Sequence, residues 1–325
     1  MRRTITSLIL ASTIALAGCD RYSTAAPGQE SAALPARETK TSESPEERKL
    51  DELVRELSKY EIVHFGEYHA VEKVPGVDTT AEDFANHFVR RFRDEKIVGA
   101  NKFTRIRMEA IPCEFDETGR VTVHPIEFTS IEANGIADMT RSPEIKQMLD
   151  GTYDSEGQQK IIKESSKNGY SIRGHFPPVQ VLEIFSTILT AQGKEEAILI
   201  FGSLQVSAYC EEAVKKDMTA GERVLIYGGE VHNNSPSISN DRLETQLNKA
   251  GLSDILDNRY PEKYIAVDLI KLPYVRGPEE ISRFSKLLAN KVPNEIVILR
   301  GDEIPRDLSH RADYLVFLPD KISTN

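Results

Sequence analysis

Two short stretches place a carboxylate and an imidazole two residues apart just after glycine. They are Gly66-Glu67-Tyr68-His69 and Gly228-Gly229-Glu230-Val231-His232. Glu-x-His suits proton transfer, with the imidazole taking a proton from water and the carboxylate holding it in the right tautomer. The same side chains could hold a divalent cation that lowers the pKa of its bound water. Each pair follows an apolar run, Ile62, Val63 and Phe65 in one case and Val224, Leu225, Ile226 and Tyr227 in the other, as at the end of a buried strand. In an extended chain Glu67 and His69 point to one side. Gly66 and Gly228-Gly229 read as points where the backbone turns sharply out of its strand. A third run, Arg107-Met108-Glu109-Ala110, ends another strand on a carboxylate. The expected site is therefore Glu67, His69 and His232, joined by Glu109, at the carboxyl edge of a sheet, where open α/β folds bind ligands.

The other polar candidates read as structural. His64, His87, His124 and His175 lack a neighbouring glycine-carboxylate pair, and Glu230 reads equally well as a solvated residue. Cys113 and Cys210 could pair in an oxidising compartment, but their spacing fits neither a metal site nor a disulfide framework. A nucleophile elbow of the G-x-S-x-G kind does not occur.

Strands and helices alternate along the chain, which predicts an α/β fold with a largely parallel sheet covered by helices on both faces. A helix is expected from Pro45 to about Tyr60, opened by Ser44 with Glu46 and Glu47 in its first turn. Another begins at Thr80, its Phe84, Phe88, Val89 and Phe92 spaced as a core face. Residues 102–110 form the second strand, expected beside the first. Residues 111–175 read as a mostly helical insertion containing an edge strand or hairpin, with 170–175 a short strand or loop. Helices follow from Pro178, over 204–216, 241–250 and 278–288, with strands at 264–270, 296–300 and 314–318. The run 197–201 fits strand or helix equally.

Residues 1–19 read as a signal peptide, with Arg2 and Arg3 before an apolar stretch too short for a stable span and Leu16-Ala17-Gly18-Cys19 at its end. Small residues before a cysteine resemble the bacterial lipoprotein signal, which implies acylation of Cys19 and a membrane anchor. Asp20 resembles the enterobacterial signal for inner-membrane retention, a rule that varies, so inner and outer membrane both stay open. Residues 20–45, rich in Ser, Thr, Ala and Pro, lack the apolar content to fold. As a flexible tether they would reach roughly 25–30 Å. Residues 46–325 then form a single domain.

Acidic and basic residues are interspersed over the 325-residue chain, whose net charge is −10. That argues against a nucleic-acid partner. The absence of Trp argues against a carbohydrate-stacking platform.

The pairing of Gly66-Glu67-Tyr68-His69 with Gly228-Gly229-Glu230-Val231-His232 resembles the superfamily that joins the Tiki proteases, ChaN-like haem-binding lipoproteins and erythromycin esterases. Arg107-Met108-Glu109-Ala110 is similar to the strand-terminal Glu of the esterase branch, and residues 312–319 to the superfamily's last strand. The resemblance implies one of two functions. One is a hydrolase acting on a small-molecule ester or a peptide, with water activated by His69 or held on zinc or manganese by Glu67, His69 and His232. The other is a haem- or iron-binding envelope lipoprotein without catalysis, facing the periplasm. ChaN-like proteins imply a tyrosine ligand for haem, but Tyr68, between two inward-facing residues, would point the other way.

Overall fold

Nine strands and seven α-helices make up the described part of the chain. The computed structural model describes residues 44–68, 73–112, 114–115, 121–122, 154–176, 187, 190, 196–229, 252–275, 278–289, 295–305 and 312–322. The strands are β1 (Ile62–Glu67), β2 (Arg105–Pro112), β3 (Glu114–Phe115), β4 (Val121–Thr122), β5 (Ser171–Phe176), β6 (Val224–Gly229), β7 (Tyr264–Ile270), β8 (Val297–Arg300) and β9 (Tyr314–Phe317). The helices are α1 (Pro45–Leu57), α2 (Thr80–Asp83), α3 (Glu95–Val98), α4 (Ser155–Lys167), α5 (Glu196–Thr219), α6 (Leu252–Arg259) and α7 (Pro278–Leu288). Among the described residues, no helix is long and apolar enough to cross a membrane.

Seven strands form one sheet in the order β5-β2-β6-β1-β7-β9-β8, and β3 and β4 form a separate two-stranded hairpin. All neighbours in the large sheet are parallel except β8 and β9. The α/β fold with a largely parallel sheet is therefore as expected. Its central strands carry apolar side chains on both faces because helices cover both. On one face Val63, Phe65, Ile106, Met108 and Leu225 meet α1, α2 and α4. On the other, Ile62, Val224, Ile226 and Ala266 meet α5, α6 and α7.

Local sequence explains how these elements begin. The Ser44 hydroxyl accepts from the Glu47 amide at 3.2 Å while the Glu47 carboxylate accepts from the Ser44 amide at 3.2 Å, a reciprocal cap that uses two of the orphan donors at the start of α1. Thr79 and Glu82 repeat the arrangement ahead of α2. Leu50, Leu53, Val54 and Leu57 turn the buried stripe of α1 to the sheet.

The helix expected from Thr80 does not stay regular. After Asp83 it widens into a π-turn over Phe84–Phe88, with the Val89 amide bonded to the Phe84 carbonyl at 3.2 Å. The extra residue lets three rings close on Phe65 at once, with centroids of Phe84, Phe88 and Phe92 at 5.0, 5.3 and 5.9 Å. The second strand is likewise not beside the first, because β6 lies between β1 and β2.

Part of the stretch expected as an insertion, 111–175, belongs to the main layers. Helix α4 places Ile161 and Ile162 in the core, and β5 is the edge strand beside β2. The ambiguous run 197–201 is the first part of α5, a single helix of 24 residues. Residues 1–43, the helix expected over 241–250 and most of the one expected from Pro178 lie outside the described residues.

Helix α5 is tied to the sheet by a buried arginine. Arg107, 1% exposed, donates to Asp217 at 2.5 Å and to the carbonyls of Gly174 and Ala213 at 2.9 and 3.0 Å. A guanidinium can be buried there because its donors are taken up on all sides.

Candidate active site at the carboxyl edge

Strands β1 and β6 are parallel neighbours, with Phe65 opposite Tyr227, Gly66 opposite Gly228 and Glu67 opposite Gly229. Their carboxyl ends therefore lie side by side. The next described helix after β1, α2, packs on one face of the sheet, and the next after β6, α6, packs on the other. In open α/β sheets, the carboxyl edge of such neighbouring strands is where ligands bind. Strand β2 lies on the far side of β6, with Met108 opposite Tyr227, so Glu109 reaches the same edge.

The two expected carboxylates leave from opposite faces. Glu67 alternates with Val63 and Phe65 on the α2/α4 face, whereas Glu109 alternates with Arg107, which reaches α5. They flank the end of β6 and do not share one side of it.

The glycines also have a different role from the one expected. Gly66, Gly228 and Gly229 stay extended within their strands, and none has a positive φ. At Gly228 the cause is close approach: a Cβ there would lie 2.8 Å from the Glu109 Oε2 and 3.2 Å from its Cβ. The same Oε2 accepts from the Gly229 amide at 2.5 Å. Gly228→Ala should therefore displace Glu109, break that bond and cost about 1–3 kcal/mol, the usual range for overpacking. A denaturant midpoint unchanged from the parent protein would show that the carboxylate moves aside freely.

Glu67 is 2% exposed. Its Oε1 lies 3.5 Å from the Gln158 Nε2 on α4, and the hydroxyl of Tyr227, 1% exposed on β6, lies beside it. Burial raises the Tyr227 hydroxyl well above its ordinary value, and the Glu67 carboxylate raises it further. Tyr227 therefore stays a neutral hydroxyl at Glu67. Asp154, the N-cap of α4, sits in the left-handed region at φ 54° and accepts from the Gly157 amide at 3.1 Å. Burial pushes its carboxyl up to about 6, the Thr79 hydroxyl opposes that rise, and the charge of Glu67 adds to it. Left-handed non-glycine residues concentrate at functional sites.

A second polar group lies behind this one. Lys271 follows β7, and its Nζ is 2.7 Å from Asp83 Oδ2, both side chains being 0% exposed. Burial lifts Asp83 to about 7 although Lys271 pulls it down. His87, on the π-turn, is held neutral as burial lowers it to about 4, helped by the charges of Arg91 and Lys271.

Of the expected site, Glu67 and Glu109 are thus placed at neighbouring points of one edge. His69, His232, Glu230, Cys19, Cys113 and His124 lie outside the described residues. Among the described residues, no three His, Cys, Asp or Glu are grouped as a metal would require. Of the ligand set Glu67, His69 and His232, only Glu67 is described. Tyr68 is 5% exposed and packs edge-on against Phe284 at 6.3 Å, on the face opposite Glu67, as the alternation of the strand requires. His64 is structural, its Nδ1 3.0 Å from the Tyr264 hydroxyl. His175, read as structural, is 1% exposed near the end of β5, where β2 makes an irregular shift of register between Met108 and Pro112. Gln158, Tyr227 and Asp154 were not expected. Only the position of Tyr227, directly before Gly228-Gly229, could have drawn attention to it.

Comparison with family models and with curated protein sequences returns no match. Among solved structures, the chain is similar to a variant of the erythromycin esterase EreC in its open conformation, with a TM-score of 0.46 and 11% identity over 84% of this chain and 93% of that one. It is similar to a Bacillus cereus protein with a TM-score of 0.41 and 10% identity, over 84% of this chain and 91% of that one. It is also similar to the type III effector HopBA1, with a TM-score of 0.39 and 10% identity over 84% of this chain and 94% of that one.

Proposed function

We propose that the carboxyl edge of β1, β6 and β2 is a hydrolytic site that cleaves an ester or peptide bond of a small-molecule or peptide substrate. The supporting observation is the register that sets Glu67 opposite Gly229, because it makes two Glu-x-His segments leave the sheet from adjacent strands. In this reading His69 takes a proton from water as the water oxygen attacks the carbonyl carbon. Glu67 accepts the other imidazole N–H and fixes the tautomer. His232 gives a proton to the departing alkoxide or amine, so the acyl C–O or C–N bond breaks with charge balanced. Glu109 holds the end of β6 through the Gly229 amide, and that amide is therefore not available to an oxyanion.

The full chain in detergent, assayed against nitrophenyl esters and a labelled peptide library, tests this. The parent protein should turn over at least one of these and Glu67→Gln should not, with both equally folded. Haem binding without hydrolysis in the parent would overturn the proposal. Metal analysis of the same sample decides how the water is activated. Zinc or manganese at one per chain, lost in His69→Ala, would make Glu67, His69 and His232 the ligands of a metal that supplies the water.

The same reading keeps the domain at a bacterial membrane, on the periplasmic side, through acylated Cys19. Cys19→Ser should move the folded protein to the soluble fraction, since one thiol carries the attachment. Labelled fatty acid still entering that variant would show the anchor to be elsewhere.

A further inference from the structure

We infer that Gln158 and Tyr227 are positioning residues that aim the Glu67 carboxylate, an inference that rests on the hydrolytic reading for its effect on rate but not for its geometry. Both neighbour one buried acid: Gln158, 4% exposed, with its Nε2 at 3.5 Å from Oε1, and Tyr227, 1% exposed, from the adjacent strand. Residue 158 comes from a different layer, and its position is over-determined. Its helix begins at Asp154, whose carboxylate caps the Gly157 amide at 3.1 Å, and a Cβ on Gly157 would lie 2.7 Å from the Ala81 Cβ of α2. The close approach of α4 to α2 that glycine allows is what carries the Gln158 side chain to the end of β1.

The amide oxygen of Gln158 and the hydroxyl of Tyr227 make no hydrogen bond that meets strict geometry, although both are buried. Side chains needed only to fill the core would be apolar there, because an unpaired buried polar atom costs stability. Two neutral groups able to donate, on the buried side of a carboxylate, restrict its rotation. Asp154 stands behind them as a like charge when ionised, and Lys73 reaches the other side of that cluster through Glu82 at 2.7 Å.

Substitutions that keep shape but change the donor separate positioning from packing. Tyr227→Phe and Gln158→Glu alter almost no volume, so a packing role predicts unchanged kcat. Positioning predicts that kcat falls about tenfold or more in each while KM stays within about twofold, since the Glu67 carboxylate loses a neighbouring polar group or meets a like charge in its place. Gln158→Asn, which shortens the reach but keeps the amide, should recover part of kcat. An activity-independent readout uses the side-chain amide protons of Gln158 in the NMR spectrum of the parent protein. One should be shifted downfield and slow to exchange, and Glu67→Gln should abolish that shift. If the amide signal responds but no substrate is hydrolysed, the hydrolytic reading fails and the positioning pair stands. An amide signal indifferent to Glu67→Gln, or kcat unchanged in both shape-keeping variants, overturns the inference.

Discussion

Lys271→Met is expected to destabilise the protein by about 3–5 kcal/mol, the cost of leaving one partner of a buried ion pair uncompensated. The ammonium lies 2.7 Å from Asp83 Oδ2 and also donates to the carbonyls of Asp78 and Asp320 at 2.5 and 3.1 Å, with both charged side chains fully buried. It thus ties the start of the π-turn and the chain after β9 to the end of β7. A double variant, Lys271→Met with Asp83→Leu, should recover part of the loss by removing the stranded carboxylate. It should not recover all, because the two carbonyls stay without their donor.

The pH dependence of the single variant follows from the sign of the Asp83 shift. The folded carboxyl is raised from 3.8 to about 7 by burial, with Lys271 opposing the rise. A raised folded value stabilises fully below the unfolded value, and that contribution is lost as pH climbs through the folded one. Without Lys271 the folded value goes higher still, so the variant keeps losing stability above about pH 7, where the parent has levelled off. Denaturant titrations at acid, neutral and alkaline pH should show the gap widening upward. A constant gap would mean that Asp83 is not the partner that matters. His87 works the other way: lowered to about 4, it withdraws stability as pH falls from its unfolded range toward 4.

The pattern of apolar runs was enough to read the strands that carry the site. Ile62, Val63 and Phe65 and the run from Val224 to Tyr227 are buried on both faces, a requirement that leaves a direct mark on composition. Strand order left no such mark. That β6 separates β1 from β2 depends on which crossovers the whole chain makes, and a single local segment does not encode it. The π-turn was hidden for a related reason, since Phe84, Phe88 and Phe92 suit a regular helix until Phe65 fixes how far their rings must converge. Gly228 reads in sequence as a turn, whereas its cause is close approach to Glu109, a residue 119 positions away that only the register brings near. Gln158 shows the limit most plainly. A glutamine on a polar helix face has nothing to mark it until α4 is packed on α2.

His69→Ala and His232→Ala should each lower kcat/KM by about 10²–10⁴-fold, the usual worth of a positioned acid or base, and the double variant should lose scarcely more than either alone. Groups that act in one proton-transfer sequence fail as a unit, so their effects do not add. The sheet supplies the reason to expect one sequence here. Glu67 and Gly229 are paired across β1 and β6, His69 follows the first by two residues and His232 follows the second by three, and each residue extends the chain by at most about 3.8 Å. Both imidazoles are thereby tied by short covalent leashes to adjacent points of one edge. If they act as this proton-transfer pair and not as packing residues, melting temperatures should stay close to that of the parent. Histidines with purely structural roles would give the opposite pattern, with stability falling in each variant and the losses adding independently in the double. That outcome would leave Glu67 without an imidazole to orient and would end the case for a hydrolytic site at this edge.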